Sequence, residues 1–260
     1  MKGSRTHPPF VRRVLSVWYR HYRVYVKSLL SNGLPPFLEP LIFLAGIGLG
    51  MGRYVTTMEN LPYIVFLATG LPITAAMFTA AFECTFGTFI RLEFDKVYDG
   101  MLAAPITVND LLVGEILWAG SKGIFFALAV IVVEALFGIV PMPLSLLSGI
   151  VGFLTGLMFA TISLLVTSIV SNINHFNFYF TGFLSPMFFF SGVVFPIDNL
   201  PPVLRPVAEI FPLTHAVRMA RALDTGHWTL LLGIDLLSIA GFTVVTGWWA
   251  IRRLRKKLIQ

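Results

Sequence analysis

Charge is scarce in this sequence. Only 12% of the 260 residues are Asp, Glu, Lys or Arg, while 56% are apolar. Soluble domains carry about 25% charged residues, so this chain lacks the polar surface to cover a soluble globule and reads as a polytopic membrane protein. Cysteine is nearly absent. Cys84 stands alone, which excludes an internal disulfide framework and a Cys-based zinc site. A phosphate-cradling G-x-x-x-x-G-K-[ST] loop is missing too. Its nearest approach, "GEILWAGSKG" at 114–123, has Gly123 after Lys122 and lies inside a hydrophobic helix rather than after a strand. There is no H-E-x-x-H and no G-x-S-x-G, and the five histidines are scattered. The expectation is therefore no catalytic residue, no metal site and no bound cofactor. Acid is missing from residues 1–33, which carry Lys2, Arg5, Arg12, Arg13, Arg20, Arg23 and Lys27. This basic stretch is too long and too amphipathic for a signal peptide, so the first residue is expected to stay on the mature chain.

What remains is apolar. A spanning helix needs about 20 mostly apolar residues, and six segments qualify, roughly 34–52, 62–86, 112–139, 146–170, 177–195 and 231–251. Their apolar runs are continuous rather than alternating, which excludes a membrane β-barrel. The tail repeats the basic signature with Arg252, Arg253, Arg255, Lys256 and Lys257. By the positive-inside rule both ends belong in the cytoplasm, which needs an even number of spans. The expected fold is an all-α integral membrane protein with six transmembrane helices. Residues 1–33 precede it, 34–251 form the six-span domain, and 252–260 are a basic cytoplasmic tail. Read at helical period, residues 10–30 place Val11, Val14, Leu15, Trp18, Tyr22, Tyr25 and Leu29 on one face and the bases opposite. Such a helix lies in the interface, facing membrane lipid. Since the bases already have that use, nucleic acid is not an expected partner.

Two stretches break these rules. The loop "RLEFDKVYDGMLAAPITVNDLLVGEIL", 91–117, is placed inside yet holds five acids against two bases. Residues 91–104 read as a short helix closed by Pro105, with Asp110 placed to start the next helix. On charge alone it is a solvated connector or a docking helix for a cytoplasmic protein. The second stretch is "SPMFFFSGVVFPIDNLPP", 185–202, where four prolines interrupt a greasy helix. On the assigned topology the region after Pro196 is external. Its apolar runs are too short to span, and irregular backbone at membrane depth is tolerated only against protein or water. Residues 197–222 are thus expected to form a re-entrant or interfacial helical hairpin, with Asp198 as a cap for its first turn.

"FLEPLIFLAGIGLGMG", "FGTFIRLEFDKVYDGMLAAPITVNDLLVGEILWA", "SPMFFFSGVVFPIDNLPP" and "FPLTHAVRMARAL" together resemble the permease subunits of type-2 ABC exporters. The closest likeness is to the branch with lipooligosaccharide, or nodulation-factor, export permeases. The resemblance runs over about 35–255. It implies a pair of six-span subunits, a homodimer, driven by two copies of a separate ATP-binding subunit that holds ATP and Mg. It implies that 91–104 is the coupling helix, with Glu93, Asp95, Lys96, Tyr98 and Asp99 as contact candidates and "SNINHF" at 171–176 as a second contact. It also implies that Pro196, Asp198, Pro201 and Pro202 belong to an external re-entrant gate.

Ionisable groups inside spans cost about 2.5–3.5 kcal/mol on insertion scales. Lys122 lies some ten residues into the third span, so it is expected to face protein or water, with Glu83 as partner and Glu115 nearby. Glu134 and Asp235 fall near outer span ends and are expected to snorkel. Ser145, Gly149, Gly152, Gly156, Ala160, Ser163, Thr167 and Ser171 form one small-residue face, suited to helix packing or to lining a pathway. The leading expectation is an ATP-driven export permease of the bacterial inner membrane, moving a lipid-like, glycolipid or drug-like amphipathic substrate outward. The alternatives are an ion-gradient-driven secondary transporter and an intramembrane glycan- or lipid-processing enzyme. The enzyme would need acids or histidines clustered at one depth.

Overall fold

The computed structural model describes residues 8–259 apart from 29–33, 35–37, Glu39, Arg53, Thr56, Pro141 and His227. The regular structure of the described residues is helical except for one hairpin pairing Thr57–Met58 with Leu61–Pro62. The helices are labelled α1 Phe10–Lys27, α2 Pro40–Leu49, α3 Tyr63–Phe94, α4 Val97–Leu102, α5 Val108–Leu136, α6 Leu144–Ile169, α7 176–190, α8 Arg205–Ile210, α9 Pro212–Thr225 and α10 Leu231–Ile259.

Four of these, α3, α5, α6 and α10, are long and apolar enough to cross a membrane. Of the other two expected spans, part of 34–52 lies outside the described residues. The described helix in 34–52 is Pro40–Leu49. In 177–195 the helix stops at Phe190, and its backbone turns at Gly192, whose φ of +80° suits a residue without a Cβ.

Helix α3 is central: 83% of its apolar window is buried within the protein, against 17% for α10, which presents its apolar sides outward. Helices α5 and α6 cross at backbone contact. A Cβ on Gly123 would meet the Gly152 carbonyl oxygen at 2.7 Å, and one on Gly156 would meet the Gly120 Cα at 3.0 Å. The small face of α6 is thus used for packing within the chain. Its polar members are satisfied locally: Ser163 shares a hydrogen bond with the Tyr179 hydroxyl at 3.0 Å, and Thr167 donates to the Cys84 carbonyl at 2.7 Å.

Helix α1 lies against α5, burying Val14, Val17 and His21, while Val11, Leu15 and Tyr22 are exposed. The buried face is therefore rotated from the purely apolar one, because His21 and Trp18 have polar partners on α5. At the end of α3 the helix continues through Phe94, past the expected start of the coupling segment. Lys96, in the left-handed conformation at φ +50°, separates it from α4. Helix α5 opens on a capping box in which Thr107 and Asp110 bond each other's backbone N–H.

Candidate functional site: a buried charge network behind helix α4

Four elements converge on two carboxylates. Glu83 and Arg91 come from the π-helical turns of α3, Glu83–Gly87 and Ile90–Phe94. Such turns are rare and concentrate at functional sites. Glu115 and Lys122 project from α5, two turns apart. His21 comes from α1 and Tyr98 from α4.

Glu115 is fully buried. Its Oε2 accepts from Arg91 Nη2 at 2.8 Å, and its Oε1 accepts from the Tyr98 hydroxyl at 2.7 Å. His21 Nε2 lies 2.9 Å from the same Oε1, at ion-pair distance but off the hydrogen-bond axis. Glu83 accepts from Arg91 Nη1 at 2.8 Å and from Lys122 Nζ at 2.9 Å. The Lys122 ammonium also sits 4.7 Å from the centre of the Tyr25 ring. Two carboxylates thus face two cations, so the cluster is balanced without water. Tyr98, only 1% exposed, has its phenol pushed well above the usual range, first by burial and then by the Glu115 charge. It stays a hydroxyl and donates.

The residues proposed from sequence divide in two. Glu83, Glu115 and Lys122 meet in this network, and Tyr98 joins them. As a correction to an exposed contact, Tyr98 is buried: its ring and hydroxyl are spent on the bundle. Asp95, Lys96 and Asp99 are exposed on the other side, and Glu93 is half-buried, its Oε1 2.7 Å from Lys257 Nζ in α10. The segment has one face bonded inward and one free. His21 and Arg91 were not foreseen. Arg91 was read as part of a surface helix, and a lone histidine on an amphipathic helix carries no signal of its own.

His21, Glu83 and Glu115 approach closely enough for their donor atoms to share an ion. The arrangement does not suit one: Arg91 and Lys122 already occupy both carboxylates, and a divalent ion there would meet two resident cations.

At the opposite end, the segment expected to be re-entrant holds two helices, α8 and α9, joined at Phe211. Asp198, expected as a cap, makes no side-chain cap: it lies exposed in a 3-10 turn, Ile197–Asn199. Its backbone carbonyl, with that of Leu200, instead accepts from Arg205. Pro201 and Pro202 are exposed beside it, and Pro196 is buried. Asp235 does not snorkel. It is fully buried and accepts from Arg218 at 2.6 Å, with His215 Nδ1 2.8 Å away. Glu134 is buried as well, and neither carboxylate oxygen has a hydrogen-bond partner.

The family model for "ABC-2 type transporter" matches residues 12–224. The chain belongs to the ABC-2 type transporter family. The permease is 33% identical to Nodulation protein J of Sinorhizobium fredii over 247 residues, 94% of each chain. It is also 33% identical to Nodulation protein J of Rhizobium leguminosarum bv. viciae, over 99% of this chain and all of that one. Inner membrane transport permease YadH of Escherichia coli is 20% identical over 78% of each. This is therefore a transport subunit and not an enzyme, a multi-pass protein of the bacterial inner membrane. Membership implies a separate ATP-binding partner subunit.

Proposed function

We propose that the permease is the membrane half of an ATP-driven exporter. It works as a homodimer with two copies of the ATP-binding subunit and moves an amphipathic, glycolipid-like molecule to the outer leaflet. One observation carries this reading: the two-sidedness of residues 91–104. Tyr98 and Arg91 bind the segment to α5 and α3, while Asp95, Lys96 and Asp99 stand free for a partner. A push on α4 reaches Glu115 through one hydrogen bond, and Glu83 and Lys122 through Arg91. Sidedness follows from charge: α1, the α10 tail and α4 gather at one end, joined by the His21–Glu115 and Lys257–Glu93 contacts, and the basic termini put that end in the cytoplasm. The re-entrant helices with Pro196, Asp198, Pro201 and Pro202 then lie on the exit side as a gate. The substrate class rests on the relatives named Nodulation protein J and on the aromatic, apolar faces of α7.

The test is co-purification. Reversing Asp95 and Asp99 to Lys is expected to remove the ATP-binding subunit from the purified complex without lowering the permease's own expression. Retained binding, or transport by the lone permease on an ion gradient, would point to a secondary transporter instead.

A further inference from the structure

Two arginines of α9 lie at the end of the protein opposite α4, and they are held differently. Arg218 is spent on carboxylates. It donates to Glu209 of α8 at 2.9 Å and to Asp235 of α10 at 2.6 Å, so charge ties α8, α9 and the start of α10 together. Arg221, one turn further along α9, makes no ion pair among the described residues. Its half-buried guanidinium lies 3.8 Å over the Phe66 ring. Nε donates to Thr69 Oγ1 at 3.0 Å, and Nη2 donates to the carbonyls of Phe66 at 3.2 Å and Gly192 at 2.9 Å.

These acceptors sit at helix breaks. In α3 the Gly70 N–H turns to the Leu67 carbonyl at 3.1 Å. The Phe66 carbonyl, which Gly70 would serve in a regular helix, is left for the Thr69 hydroxyl at 2.8 Å and for Arg221. Gly192, at φ +80°, follows the end of α7. The two breaks also touch: a Cβ on Gly70 would meet Val193 Cγ1 at 3.2 Å and Val193 Cα at 3.3 Å. Arg221 therefore joins α9 to the central helix and to the end of α7 along one seam. Ser191, next to Gly192 in the chain, is 1% exposed.

The chemistry of these bonds sets how they part. Separating Arg218 from Asp235 would strand a buried carboxylate. Separating Arg221 from its acceptors strands no acid. Arg221 and Gly192 both line a cavity of about 590 Å³, so water can take the place of the carbonyls at the guanidinium. We infer that Arg221 is a positioning residue for transport: it holds the seam between α9, α3 and the end of α7 closed, and its bonds exchange for water when that seam opens in the cycle. The inference rests on the exporter reading, which makes the seam the exit side.

Maleimide labelling of Ser191→Cys, in a Cys84→Ala background and in nanodiscs, tests it. Without nucleotide, labelling is expected to be slow with Arg221 present. Arg221→Gln is expected to speed it about tenfold, and Thr69→Val, which removes one acceptor, to speed it several-fold. In the complex with the ATP-binding subunit and Arg221 intact, ATP is expected to speed it as well. An arginine that is merely structural would lower the melting temperature on substitution and leave labelling of the folded protein slow. Slow labelling in both variants overturns the inference, and if Arg221→Gln does not fold, Thr69→Val decides alone. A complex that transports with no ATP-dependent rise in labelling overturns it too. A complex that hydrolyses ATP without transporting counts against the exporter reading, while the nucleotide-free comparison still decides whether Arg221 holds the seam.

Discussion

The Tyr98 hydroxyl donates to Glu115 Oε1 at 2.7 Å, a polar tie between the short helix α4 and the long helix α5. Glu115 takes its other strong bond from Arg91, so removing the phenol oxygen leaves the carboxylate paired and α4 held by apolar packing alone. Tyr98→Phe keeps the buried ring. It is expected to lower stability by only about 1–3 kcal/mol and to leave the ATP-binding subunit attached. Transport per ATP hydrolysed is expected to fall several-fold. Measuring ATPase rate and transport in the same proteoliposomes checks this, and a fall in both by the same factor would mean that Tyr98 is merely structural.

Lys122 and Glu83 make a second, separable prediction. Lys122→Met leaves two carboxylates against Arg91 alone, and Glu83→Gln leaves two cations against Glu115. Each single change uncovers a buried charge, which costs about 3–5 kcal/mol. The double variant restores balance. Lys122→Met is expected to stop transport and Lys122→Met/Glu83→Gln to recover part of it, with a coupling energy of about 0.5–3 kcal/mol in unfolding. Additive effects would show that the 2.9 Å contact is incidental.

That pair was legible from sequence because a cation ten residues into an apolar helix must find an acid at its own depth, and Glu83 is placed there. The four long spans were legible for the same reason, as unbroken apolar runs. Arg91 was not, since nothing in "FIRLEF" announces that α3 runs on through π-helical turns to Phe94 and carries the arginine inward. The early end of α7 was half-visible. The prolines marked the break, but the positive φ at Gly192 placed it several residues before Pro196. Arg221 gave no sign of itself, because its partners are carbonyls exposed by helix breaks rather than acids that a charge count can find.

The α5–α6 crossing predicts a steric result. Around Gly156 the nearest neighbours are backbone atoms, the Gly120 Cα at 3.0 Å and the Ala119 carbonyl oxygen at 3.1 Å, which cannot swing aside as a side chain would. Gly156→Ala is expected to destabilise by about 1–3 kcal/mol through forced separation of the helices, and Gly156→Leu to prevent accumulation of folded protein. Gly182→Ala, where nothing lies within 4 Å of the new Cβ, is the control and is expected to be neutral. Melting of the detergent-solubilised proteins reads all three.

Asp224, at the end of α9, sets a dependence on pH. Burial raises its carboxyl from 3.8 to about 7, against the opposing pull of the Ser148 and Ser145 hydroxyls and of Arg221. Glu134 of α5 faces it across the packing. In the unfolded chain the group ionises near 3.8, so between that value and about 7 the native state binds more protons than the unfolded one. Stability therefore falls as pH rises through this window. The contribution is fully present below about 3.8 and lost above about 7. Asp224→Asn is expected to flatten this part of the melting curve between about pH 4 and pH 7. Ser148→Ala removes a hydroxyl that favours the ionised form and is expected to carry the decline to higher pH. A wild-type melting temperature that rises from pH 5 to pH 7, with Asp224→Asn abolishing the rise, would reverse the sign and show the carboxylate to be stabilised in its charged form.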